Sequence, residues 1–98
     1  MFVMIRQYSG CPDAREVNRR VQVAAVMNVI TSMPGIQSYS VVDHGDGVVA
    51  TVGVFETREQ AENSAAIARP IVAEHFADLL PNAPEIIVAE VLSTYRKS

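Results

Sequence analysis

Four stretches of the chain, Phe2 to Tyr8, Ile36 to Val42, Val49 to Phe55 and Ile86 to Leu92, are largely apolar at odd and even positions alike. Successive side chains of a β-strand point to opposite faces, so strands of this kind need cover on both sides. Val3 and Ile5 make that demand against Phe2 and Met4, and Ile86 and Val88 make it against Ile87, Ala89 and Val91. Between the strands the apolar period lengthens to that of a helix. After Gly10, Asp13 is placed to accept from the free amides of a first helical turn, and Glu16 to reach back as in a capping box. Val17, Val21, Ala24, Met27 and Ile30 then recur at three- and four-residue spacing, which predicts one helix from about Ala14 to Ser32. Met33-Pro34-Gly35 stops it, because proline cannot continue the hydrogen-bond ladder and glycine relaxes the turn that follows.

Asp43-His44-Gly45-Asp46-Gly47 joins the second and third strands as a hairpin, since its glycines tolerate positive φ and its aspartates bond their own backbone. Thr57 and Gln60 repeat the capping-box pattern, so a second helix should begin near Arg58. Its inward stripe is Ala61, Ala65, Ala68, Val72, His75 and Leu79. Pro70 interrupts it, and a kink or a break around Ala68 to Pro70 is expected. The order strand, helix, strand, strand, helix, strand is the split βαβ arrangement. It predicts an α+β, ferredoxin-like antiparallel sheet with both helices on one face. Two helices shield one face only, and a second copy of the chain is the expected cover for the other, giving a homodimeric α/β barrel.

Composition narrows the partners. The 98 residues suffice for one domain, residues 1–98, and a core shared between subunits suits so short a chain. A net charge of -3, with no basic run beyond Arg19 and Arg20, offers no footprint for nucleic acid. No apolar run is long enough to span a bilayer and no cleavable leader is evident, so a soluble, cytoplasmic protein without a membrane partner is expected. A single cysteine, Cys11, makes no internal disulfide and reads as a bystander thiol.

Met33-Pro34-Gly35-Ile36 followed by Tyr39, Asp43 to Gly47 followed by Thr51-Val52-Gly53-Val54-Phe55, and Gln60-Ala61-Glu62 leading a proline-split helix resemble the antibiotic biosynthesis monooxygenase family over nearly the whole chain. The resemblance implies small homodimers with a pocket between sheet and helices. It also implies oxidation of polycyclic aromatic compounds without metal or flavin in some members, and haem degradation in others. The haem-degrading relatives place their iron-binding histidine at the position of His75, an asparagine at that of Gln7 and a tryptophan at that of Ala65. This chain keeps the first, lengthens the second by a methylene and loses the third.

The candidate chemistry follows from that frame. His75, a titratable imidazole in an apolar stripe, is the candidate catalytic base, with a structural pairing to Asp78 as the alternative. Gln7 is the candidate catalytic partner that orients a phenol or enol. Tyr8, Tyr39, Ala65 and Val72 are candidate contacts to a small apolar or aromatic ligand. Arg6 either steers an anion or, more simply, pairs with Glu90 on a neighbouring strand. Asp43, His44 and Asp46 are explained by turn chemistry and no metal site is expected. No hydrolytic triad or dinucleotide loop is present, and no cofactor is expected. The competing reading is a non-catalytic dimeric binding or structural module, with haem degradation third.

Overall fold

The computed structural model describes residues 1–97. Strand β1 (Phe2–Tyr8) is followed by helices α1 (Ala14–Val21) and α2 (Ala24–Thr31), and then by strands β2 (Ile36–Gly45) and β3 (Val48–Phe55). Helix α3 (Arg58–His75) and strand β4 (Glu85–Glu90) complete the chain. The sheet order is β2-β3-β1-β4, with every neighbouring pair antiparallel. This is the expected ferredoxin-like α+β architecture. The last strand stops at Glu90, two residues short of the expected Leu92, and the Val91 amide still donates to the Met1 carbonyl at 2.9 Å.

The expected first helix is two. Gln22 closes α1, and Val23, extended at φ -66 and ψ 137, opens α2 with no side-chain cap. Geometry gives the reason. Val17, Val21, Val26 and Ile30 are all buried. In an unbroken helix the nine residues from Val17 to Val26 would turn it by roughly half a revolution beyond full turns, which would point Val26 at solvent. The extended residue at Val23 resets the phase so that both pairs meet the sheet. Ala24, expected in the stripe, is exposed, and Val26 takes the inward place. Conversely, Pro70 does not divide the second helix: α3 runs unbroken through it for 18 residues. Pro70 and Ala66, whose carbonyl lacks its usual partner four residues on, are both exposed, so water can satisfy the freed group.

The hairpin turns on Asp46 and Gly47, both with positive φ, as the tightest two-residue connection demands. Gly35, at φ +74, fits against the start of α3, where an added Cβ would overlap the Gln60 carboxamide that closes the Thr57 capping box.

Register sorts the two faces. Phe2, Met4, Arg6 and Tyr8 on β1 stand opposite Phe55, Gly53, Thr51 and Val49 on β3 and face the helices. Val3, Ile5 and Gln7 stand opposite Val54, Val52 and Ala50, and on β4 opposite Ala89, Ile87 and Glu85. No described helix covers this second face, and Ile87 is 55% exposed and Val42 45% exposed on it. The main core therefore lies on the helical side, where Phe55, Val17, Val26 and Val49 are its largest fully buried side chains.

Candidate active site

Two hollows lie between sheet and helices. The inner one, about 40 Å³, is enclosed by Val17, Val21, Val26, Ile30, Met33 and Phe76, and its polar margin is Arg6, Tyr8, Tyr39 and Thr51. The outer one is a cleft of about 440 Å³ between α3 and the segment leading into β4, lined by Ala65, Arg69, Ala73, Pro81, Asn82 and Ile86 among others. Arg6, Tyr8, Val72 and Leu80 border both. A third hollow of about 590 Å³ follows the free edge of β2 past Tyr39 and Ser40.

Arg6 is the polar centre. Strand alternation turns it under the helices, where it is only 6% exposed. Its Nε donates to Thr51 Oγ1 at 3.2 Å and its Nη2 to the Tyr39 hydroxyl at 3.1 Å. Nη1 is buried and has no partner. None of the ion pairs among the described residues includes Arg6. The expected pairing with Glu90 is therefore corrected: Glu90 stands opposite Phe2 at the far end of the strand, and Arg6 stands opposite Ile86. An uncompensated buried guanidinium opposes folding by on the order of several kcal/mol. Burial pushes the Tyr8 phenol above its usual range, against a smaller opposing pull from the Arg6 charge. Tyr8 therefore stays protonated at neutral pH and supplies no countercharge.

The sequence-derived candidates divide cleanly. Tyr8, Tyr39 and Val72 line the inner hollow, and Ala65 with Val72 lines the cleft. Gln7 does not join them, because as the neighbour of Arg6 and Tyr8 it points to the uncovered face of the sheet and is exposed. His75 ends α3, lines none of the three hollows and keeps its side chain 30% exposed, with Nε2 3.9 Å from Glu74 Oε1. Its expected partner Asp78 instead takes both Nη atoms of Arg20, at 2.7 and 3.0 Å. Arg20 also donates to Glu16 and to the His75 carbonyl, which clamps α1 to the end of α3. Thr51 is the site residue that sequence reasoning missed, and Arg6 was weighed as an anion-steering group but given the simpler pairing with Glu90. Their signal was parity, since both share a face with Tyr8.

No protein-family model matches the sequence, and no curated protein matches it closely. Solved structures do match. A Streptomyces coelicolor monooxygenase crystallised with nanaomycin D superposes with a TM-score of 0.67 at 22% identity, over 99% of this chain and 92% of that one. The haem-degrader MhuD of Mycobacterium tuberculosis, with two haems in its active site, gives 0.71 at 19% identity, over 98% and 100%. A Chloroflexus aurantiacus protein named for antibiotic biosynthesis monooxygenases gives 0.64 at 17%, over 97% and 96%.

The chain has the antibiotic biosynthesis monooxygenase fold.

On that fold the haem chemistry of one neighbour finds no fit in the residues present. His75 lies off both sheet–helix hollows, and the small inner hollow admits no macrocycle. Among the described residues no group of three or more His, Cys, Asp or Glu side chains is placed to hold a metal ion. No described helix is long and apolar enough to cross a membrane.

Proposed function

We propose that this protein is a homodimeric monooxygenase of the antibiotic biosynthesis type that takes a small, largely apolar, aromatic compound between sheet and helices and oxidises it with molecular oxygen. The observation that carries this reading is the convergence of Arg6, Tyr39, Thr51 and Tyr8 on one end of an otherwise apolar hollow that adjoins an open cleft. Apolar walls with a few placed polar groups are the general form of a small-molecule site. The uncovered apolar face of the sheet supports the homodimer.

The chemistry suits an aromatic ketone with an activated methylene conjugated to it through the ring. The guanidinium and the phenols stabilise the enolate oxygen as the methylene proton leaves to water, and the apolar walls keep that carbanion from bulk solvent. Oxygen adds at the carbon, and loss of water from the resulting hydroperoxide leaves a carbonyl, so that CH₂ and O₂ become C=O and H₂O. Tyr39, held by Arg6, replaces Gln7 as the orienting group, and no role falls to His75.

The test is oxygen uptake with 1,8-dihydroxyanthrone in metal-free buffer, with the anthraquinone product read by its visible absorbance. Wild-type protein should accelerate conversion, and Tyr39→Phe should lower kcat by about tenfold or more, as removal of an oriented donor does. A rate no faster than buffer, with no binding of the anthrone or its quinone, would leave only the non-catalytic module.

A further inference from the structure

We infer that the ligand is an anion at the moment it binds: an apolar aromatic body carrying one carboxylate or phenolate oxygen, which docks on Nη1 of Arg6. The inference rests on the sheet–helix site proposed above and names its ligand class.

Three observations meet here. Arg6 is more than nine-tenths buried, and its Nη1 donors are the one buried side-chain group without a partner among the described residues. Its other two nitrogens are already held by Thr51 and Tyr39, which fixes the guanidinium plane and leaves the Nη1 corner to be filled. Among the described residues no carboxylate reaches it, and Tyr8, kept neutral by burial, cannot balance the charge. Arginine is the side chain suited to this task, since its charge is permanent and its planar fork matches a carboxylate. The cleft provides the approach. Arg69 lines it, is exposed and has no ion pair among the described residues, so it draws an anion toward the opening. Val72 and Leu80 border both hollows, and rotation of such side chains opens the cleft onto the guanidinium, an adjustment common on binding. Around the docked oxygen, Val17, Val26, Ile30 and Phe76 give the apolar body its walls.

The test compares 2-naphthoate with its neutral near-isostere 2-naphthamide by calorimetry at neutral pH, and adds 4-nitrophenol, whose phenolate is yellow. The naphthoate should bind at least tenfold more tightly than the amide, with a preference that shrinks as salt rises. Arg6→Gln should erase the preference, and the exposed substitution Arg69→Ala should weaken naphthoate a few-fold while leaving the amide unchanged. Bound 4-nitrophenol should turn yellow at a pH where the free phenol is largely colourless. That colour needs a positive charge beside the oxygen and would not follow from a merely structural Arg6. A carboxylate preference without the colour change restricts the class to carboxylates, and the colour change without a carboxylate preference restricts it to phenolates. If amide and naphthoate bind equally and the nitrophenol keeps its solution colour, the anion site is refuted while the aromatic pocket stands. If none of the three binds, both fall. Should Arg6→Gln fail to fold, the isostere comparison, the colour change and Arg69→Ala decide the matter.

Discussion

At the scale of single residues, Arg6 and Arg20 show one side chain put to opposite uses. Arg20 is surrounded by acceptors at the surface. Arg19 first and Arg20 second hold the Glu16 carboxyl at about 2 through hydrogen bonds, and Arg20 holds Asp78 below its usual range. Both carboxylates therefore bind protons less readily in the folded chain than in the unfolded one, so they contribute stability at neutral pH that is lost as pH falls. Urea unfolding of the wild type should show that loss for Glu16 between about pH 4.5 and about pH 2, Arg20→Met should reduce it in part, and Arg19→Met with Arg20→Met should flatten this part of the profile. An unchanged profile in the double variant would mean that these contacts do not persist in solution. Arg6, by contrast, has hydroxyls and no carboxylate around it. The sequence could offer it Glu90 because both sit in paired strands, but only register decides which residues are opposite, and register was not legible. Parity was legible: Gln7 and Tyr8 are adjacent in a strand and cannot line one cavity, and their joint assignment to a ligand is the error that alternation alone would have prevented.

At the scale of elements, the strands, the hairpin, the Asp13 N-cap and the Thr57 capping box were legible because each has a local signal. Glu16 does not reach back to Asp13 as expected, because Arg19 and Arg20 take its carboxylate. The divided first helix had no local signal. Neither Gln22 nor Val23 is a breaker, and the division follows from tertiary demand, the need to bring Val26 and Ile30 to the same sheet as Val17 and Val21. Helix α2 consequently starts with an exposed valine and no side-chain cap. Val23→Asp should supply the missing acceptor and stabilise the protein by about 0.5–1 kcal/mol in denaturant titrations. A loss of stability instead would show that the Val23 side chain contributes packing. In α3 the break offered as one outcome at Pro70 does not occur. Proline is a strong local signal for interruption, but at Pro70 it falls where the freed carbonyl faces water, and the helix passes through.

At the scale of the whole molecule, the fold was legible because strands apolar on both faces and helices on one are a statement about topology that needs no exact boundary. The covering partner of the other face is the second copy proposed above. Ile87, 55% exposed on a lone subunit, makes the clearest probe, because a charge there costs little within the chain and much at a seam. Ile87→Glu should leave the far-ultraviolet spectrum intact and weaken self-association by at least tenfold in sedimentation equilibrium, as loss of a central apolar contact does. Equal association of variant and wild type would place any subunit contact elsewhere.

Pro70 has a mechanical consequence beyond its failure to end α3. The helix lacks one rung there, between Ala66 and the proline, and the side chains beside that gap, Ala65, Arg69, Val72 and Ala73, are those that form the wall of the cleft. The wall is thus softest where a visitor must push through, so it can flex outward at that rung without the sheet or the buried guanidinium giving way.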